Sequence, residues 1–384
     1  MLMKLSLVLV GTGLALKDIF SFCMSLSLGI VGLPNVGKST LFNALTRSKL
    51  APAENYPFCT IEPNIGIVEV PDDRLAQLSA ISKSEKTVPA AIRFVDIAGL
   101  VKGASEGAGL GNKFLAHIRE VDAIVQVVRA FTDTNIIHVN NKVDPADDAS
   151  VINLELILAD LETVTKRFDR AKKSARGVIP KETQLEIAIL EKLLVCLGEG
   201  KRAATLVWGE EEAQVVKELQ LLTTKPMMYV VNIDEPGAKN RDSELLSTIP
   251  SDCPVVNVCA RLEAELSELT PAEGKEYMTD LGMHESGLDQ IIRAGYALLN
   301  LVTYFTSGEP ETRAWTISKD MTAPLAAGVI HTDFIKGFVK ADVTGWADFV
   351  SLGGWGGVRD KGKLRVEGKE YVVRDGDVCY FHIA

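Results

Sequence analysis

Short apolar runs separated by longer mixed stretches set the frame of the chain. Leu28–Val31, the run "AIRFVD" ending on Asp96, "AIVQVVRAF" from Ala123 to Phe131, and Met227–Val231 are too short for helices and predict strands. A further strand follows within "CPVVNVCARLEAEL". After the first run, Leu41, Leu45 and their neighbours recur at helical spacing, so a strand leads through a glycine-rich turn into a helix. Beyond Pro145 the period lengthens. "VINLELILADLETVTKRFDRAKKSA" puts Ile152, Leu156, Ala159 and Val164 on roughly one face, and "TQLEIAILEKLLVCL" is a second amphipathic stretch. Gly177 and Pro180 interrupt the two, which predicts an antiparallel helical hairpin over residues 145–202. From about Leu301, "RAWTI", "GFVKADV" and "KLRVEGKEYVVRDGDVCYFHI" alternate apolar and polar positions around turns, as in a small mixed sheet. The expected architecture is α/β: a mostly parallel sheet built from 25–144 and 203–300, the inserted hairpin, and a C-terminal sheet domain over 301–384.

The turn after the first strand reads Gly32-Leu33-Pro34-Asn35-Val36-Gly37-Lys38-Ser39, a full G-x-x-x-x-G-K-[ST] match in the required strand–loop–helix context. Glycines at these positions let the backbone curl so that successive N–H groups face phosphate oxygens, and the following helix adds the positive end of its dipole. Lys38 is expected to reach the β- and γ-phosphates and the Ser39 hydroxyl to bind Mg²⁺. Asp96 and Gly99 form a D-x-x-G arrangement, with the carboxylate holding a Mg²⁺-bound water and the Gly99 N–H meeting the γ-phosphate. Thr60, in "NYPFCTIEPN" between these two elements, is the candidate for a second hydroxyl on Mg²⁺. The glycine-rich "VKGASEGAGLGNKF" then reads as a switch segment.

Two tetrapeptides compete for the base. Asn141-Lys142-Val143-Asp144 spells N-K-x-D, the guanine-reading pattern. Only "TDTNIIHVN" separates it from the strand ending at Phe131, however, and parallel neighbours need a crossover of a dozen or more residues. It is therefore expected to be a decoy. Asn232-Ile233-Asp234-Glu235 follows the next apolar strand and stands where a base reader belongs, with Ile233 replacing the Lys and Glu235 the final Asp. A guanine reader's Asp accepts from N1–H and the 2-amino group, neither of which adenine has; losing such a paired contact shifts preference by a few kcal/mol. ATP is the expected nucleotide, with Cys259-Ala260-Arg261 in place of a Ser-Ala-Lys loop on the base's other edge.

Charge and composition narrow the partners. The 384-residue chain has a formal net charge of -10, which argues against coating nucleic acid by bulk charge. Lys166, Arg167, Arg170, Lys172, Lys173 and Arg176 nevertheless cluster at the hairpin turn, either as a solvated helix end or as a nucleic-acid-touching tip. The 6 cysteines include no C-x-x-C pair, so neither a zinc knuckle nor a disulfide framework is indicated, and a reducing, cytoplasmic setting fits. Leu5–Leu16 imitates a short signal-peptide core and half of a dinucleotide fingerprint whose third glycine is replaced by Leu16. It is too short to cross a bilayer, and residues 1–24 are read as an extension of unknown role.

From about Ser25 to its end the chain resembles the YchF subfamily of Obg-like ATPases, through "GIVGLPNVGKSTLFNAL", "FVDIAGLVKGAS", "GLGNKFL", "ELILADLE", "NIDE", "RAGYALLNLVTYFT" and "AAGVIHTDFIKGFVKADV". The resemblance implies a P-loop nucleotidase domain, an inserted helical hairpin and a C-terminal TGS domain of ubiquitin-like β-grasp form. It implies ATP preferred over GTP and association with the ribosome; no membrane partner and a monomeric state are expected besides. By position it implies phosphate contacts from Asn35, Val36, Gly37, Lys38, Ser39 and Thr40, Mg²⁺ contacts from Ser39 and Thr60, and adenine contacts from Asn232, Ile233 and Glu235, with Cys259 and Ala260 beside them. Leu100 stands where most switch GTPases carry a water-orienting Gln, so slow intrinsic turnover is expected. His138 is the candidate for that task, against the alternative of a packed histidine; Asn35 is a candidate K⁺ ligand. His331 and Asp333 read as structural. A GTPase, or a non-enzymatic ribosome-binding scaffold stabilised by nucleotide, are the alternative readings.

Overall fold

The computed structural model describes residues 26–51, 64–97, 109–133, 143–175, 179–234, 249–250 and 253–384, with the backbone alone at 109–113 and 271. In chain order the first half comprises β1 (Ser27–Val31), α1 (Lys38–Lys49), β2 (Ile65–Glu69), α2 (Asp73–Ser82), β3 (Lys86–Val88), β4 (Ala91–Asp96), α3 (Gly109–Glu120) and β5 (Ala123–Arg129). There follow α4 (Pro145–Ser174), α5 (Lys181–Gly198), α6 (Glu210–Glu218), β6 (Met227–Asn232), β7 (Val255–Val258), α7 (Ala260–Leu266), α8 (Pro271–Asp280) and α9 (Gly287–Leu298). The C-terminal strands are β8 (Leu301–Ser307), β9 (Glu311–Ser318), β10 (Phe338–Gly345), β11 (Arg365–Glu367) and β12 (Asp377–Ile383).

The first sheet runs β2-β4-β1-β5-β6-β7 and is parallel except for the β2–β4 pair. Strands β1, β5 and β6 are buried along their whole length, which is why each reads as an unbroken apolar run rather than an alternation. The chain leaves β1 toward β4 on one side and later returns to β5 on the other, so the crevice above the carboxyl ends lies at a topological switch point. The register aligns Ile30 with Asp96 and Arg129 with Asn232, bringing the ends of β1, β4, β5 and β6 to one edge. Helix α9 lies close against β1: a Cβ on Gly295 would come within 2.5 Å of Leu28.

The hairpin forms as the spacing predicts, but α4 serves two cores. Ala149, Ile152 and Leu156 pack into the core around the first sheet, whereas Val164 and Ala171 pack with Ile189, Leu190 and Leu193 of α5. Arg167 pairs with Glu186 at 2.5 Å and Lys172 with Glu191 at 3.9 Å across the hairpin; being exposed, such pairs contribute on the order of 0–1 kcal/mol each. Arg170 and Lys173 of the basic turn face solvent. At the root, buried Asp160 accepts the N–H groups of Leu222 (2.8 Å) and Thr223 (2.7 Å) and the Thr223 hydroxyl (2.6 Å).

The second sheet runs β11-β10-β12-β8-β9-β3 and is mixed, with the parallel β12–β8 pair flanked by antiparallel neighbours and the helix Ala323–Ile330 packed in its core, a ubiquitin-like β-grasp. Its last strand was not legible in the sequence: β3, from the first half of the chain, pairs in parallel with β9. Ser84 Oγ donates to the Gly308 carbonyl (2.7 Å), Glu85 N–H to that of Glu309 (2.8 Å), and Arg74 pairs with Asp375 (2.6 Å). Leu301, Phe305, Phe349 and Val378 belong to the same buried cluster as the first sheet, so the C-terminal sheet is fastened to the nucleotidase fold by apolar burial as well as by hydrogen bonds.

Candidate functional site

Residues 32–37 turn from β1 into α1 with Asn35 at φ 63° and Gly37 at φ 102°. Two glycines are required by contact. A Cβ at Gly32 would lie 2.5 Å from the Val127 carbonyl oxygen, and one at Gly37 would lie 2.3 Å from Asn232 Nδ2. Lys38, the first residue of α1, is only 8% exposed and its Nζ donates to the Leu33 carbonyl at 2.7 Å, so it spans the loop from inside. Burial pushes its amine down to about 8, and Asp96 opposes that shift. Asp96, at the end of β4, has its carboxyl pushed up by burial, while Lys38 and a hydrogen bond from the Ser39 hydroxyl pull it down. Its Oδ1 is buried without a hydrogen-bond partner among the described residues. Ser39 and Thr40 are exposed at the head of α1, and Val36 is buried.

Lys38, Ser39 and Asp96 therefore meet as the motifs predict. An exposed hydroxyl beside a phosphate loop, with a half-satisfied carboxylate next to it that could hold a metal-bound water, suits Mg²⁺. No cluster of three His, Cys, Asp or Glu capable of holding a metal occurs among the described residues. His331 and Asp333 meet locally at the start of a short helix, with the Asp333 N–H donating to His331 Nδ1 at 3.3 Å and the Asp333 carboxylate 3.6 Å from the same nitrogen.

At the other end of the crevice, Asn232 is 6% exposed and both ends of its amide are engaged. Nδ2 donates to the Val36 carbonyl and Oδ1 accepts the Ala260 N–H, each at 3.0 Å. It thus ties the phosphate loop, the end of β6 and the start of α7 together. Ile233 is half-buried against the core, with its N–H on the Val258 carbonyl at 2.9 Å. Cys259 and Ala260 are buried at the N-terminus of α7. Asp234 accepts the Thr132 N–H and hydroxyl, each at 3.2 Å, anchoring this loop to the segment after β5. Neither Asp234 nor Thr132 was singled out by sequence, since nothing local links residues 102 positions apart. Asp144 of the N-K-x-D sequence caps α4, accepting the Asp147 N–H at 3.2 Å. Thr60, Gly99, Leu100, His138, Asn141 and Glu235 lie outside the described residues.

Residues 27–165 match the family model described as "50S ribosome-binding GTPase", and residues 301–384 match the C-terminal model of YchF GTPases, described as "Protein of unknown function (DUF933)". The chain is 53% identical to the "Ribosome-binding ATPase YchF" of Bacillus subtilis over 364 residues, which cover 93% of this chain and 99% of that protein. It is 52% identical to the protein of the same name in Escherichia coli O157:H7, with the same coverage. Among solved structures, the YchF GTPase of Schizosaccharomyces pombe superposes with a TM-score of 0.84 at 42% identity, over 93% of this chain and 98% of that one. The phosphate loop, Asp96 and the loop after β6, tied to the phosphate loop through Asn232, thus coincide with identity along nearly the whole chain, and the protein belongs to the YchF family.

Proposed function

We propose that the chain is a Mg²⁺-dependent ATP hydrolase that prefers ATP to GTP, turns over slowly unaided, and acts as a nucleotide switch on the ribosome in the cytoplasm. The observation carrying the nucleotide reading is the bond from Asn232 to the Val36 carbonyl. It joins the loop that lacks N-K-x-D to the phosphate loop, while Asp144 of the N-K-x-D sequence caps a helix. With Ile233 in place of Lys the stem that packs over guanine is lost, and Glu235 in place of Asp carries its carboxylate one methylene further out, away from the position that pairs with guanine N1–H and the 2-amino group.

In this reading the N–H groups of 35–40 and Lys38 hold the phosphates, and Asn232, Ile233, Glu235, Cys259 and Ala260 frame the adenine. Ser39 and Thr60 would hold Mg²⁺, which when bound neutralises charge on the β- and γ-phosphates. Gly99 meets the γ-phosphate, His138 orients the attacking water in place of the missing Gln, and Asn35 is the K⁺ candidate. The relatives named as ribosome-binding ATPases support the partner. Parallel titration of ADP and GDP, with ATP and GTP hydrolysis measured with and without ribosomes, tests the whole: equal affinity for the two diphosphates would refute the preference. A His138→Ala variant hydrolysing ATP at the wild-type single-turnover rate would remove His138 from the mechanism.

A further inference from the structure

Helix α7 begins with the residues that flank the base and, one turn on, carries a buried charge the site does not use. Glu263 is 2% exposed. Its Oε1 accepts the Gly287 N–H at 2.7 Å, and the Leu288 N–H also donates to the carboxylate. These are the first two residues of α9, so Glu263 satisfies two of that helix's orphan N–H groups from a different helix, at the end where the dipole favours negative charge. Ser286 caps the Asp289 N–H locally, at 3.0 Å.

A cavity of about 150 Å³ is lined by Ile233, Cys259, Leu262, Glu263, Met283 and Gly287, among others. Side chains bordering a void lose dispersion contacts on that side, which leaves more of the hold between α7 and α9 to the hydrogen bonds of the Glu263 carboxylate. We infer that Glu263 is a positioning residue for recognition of the nucleotide base. It fixes α7 against α9, α7 fixes Cys259 and Ala260, and the Ala260 N–H fixes Asn232. This inference rests on the base loop proposed above.

The test uses the full chain and measures KM and kcat for ATP, Kd for ADP and the melting temperature of the nucleotide-free protein. Glu263→Ala is expected to raise KM and Kd roughly tenfold, the equivalent of losing about one to two buried hydrogen bonds, with kcat within about twofold of wild type. Glu263→Gln keeps one acceptor oxygen and is expected to fall between the two, about threefold weaker in ADP affinity. A purely structural role would lower the melting temperature and leave KM and Kd unchanged, and that result in Glu263→Gln overturns the inference, also if Glu263→Ala does not fold. Asn232→Ala separates the two readings. Weakened ADP binding there with wild-type binding in Glu263→Gln sinks the role of Glu263 alone. Unchanged ADP binding in Asn232→Ala sinks the base loop and the inference with it.

Discussion

Lys38 offers a direct thermodynamic test of the phosphate loop. In the nucleotide-free protein its amine is almost wholly buried, faces the Leu33 carbonyl and titrates at about 8. A bound di- or triphosphate places several negative oxygens beside it and restores the charged form, so binding must draw a proton from solvent wherever the free protein's amine is neutral. A group with a pKa of about 8 gives an uptake of about 0.1 proton at pH 7, about 0.5 at pH 8 and about 0.9 at pH 9. The same linkage weakens binding about fivefold between pH 8 and pH 9. Calorimetric titration of ADP at pH 8 in buffers of different ionisation enthalpy reads the uptake as the slope of observed heat against buffer enthalpy. Lys38→Arg, whose guanidinium stays charged throughout this range, is the control and should show no slope. A buffer-independent heat for the wild type at pH 8 would mean that Lys38 is already charged in the free protein and that burial does not depress its amine. The folded chain releases this proton near pH 8 and the unfolded chain near 10.5, so the unfolded state binds more protons in between, and stability of the nucleotide-free protein gains from this group as pH rises across that window.

Other consequences are equally specific. Asn232→Ala strands the buried Ala260 N–H and frees the phosphate loop from the base loop, so nucleotide affinity should drop by roughly 2 kcal/mol, about thirtyfold, in an ADP titration. Gly37→Ala puts a Cβ against Asn232 at a left-handed φ; strain of about 1–3 kcal/mol should appear in urea unfolding together with loss of ADP binding. Asp160→Ala leaves three donors at the hairpin root unpaired and should cost about 3 kcal/mol in the same unfolding assay. Burial raises the Asp160 carboxyl above its ordinary 3.8, chiefly by desolvation against its hydrogen bonds. The folded chain therefore binds that proton more readily, and the group's contribution to stability declines as pH rises from 3.8 through the raised folded value; Asp160→Asn should remove that slope.

Much of this was legible because it is local. The phosphate loop is a contiguous octapeptide, and the strands β1, β5 and β6 are apolar throughout because both faces are covered. The place of the loop at Asn232 beside the phosphate loop follows from a length argument: a crossover fits before Asn232 and not before Asn141. What escaped notice was set by contacts between distant residues. The three residues of β3 gave no sign of pairing with β9, some 225 residues later. The division of α4 between two cores does not show in its periodicity, since both stretches present apolar residues at helical spacing. Asn232, expected at the base, also bonds Val36 and Ala260, and nothing local in the sequence marks it as a clasp between loops.

The sequence by itself determined which chemistry the chain carries and in what order, because backbone conformation, strand and helix period, and the spacing of Gly32, Lys38, Ser39, Asp96 and Asn232 are short-range properties. Tertiary structure alone decided how closely those groups meet and what that does to them. The depressed Lys38 amine, the raised Asp96 carboxyl and the tie from Asn232 to Val36 follow from register and burial. Those depend on which distant surfaces exclude water from one another, and no local pattern records that.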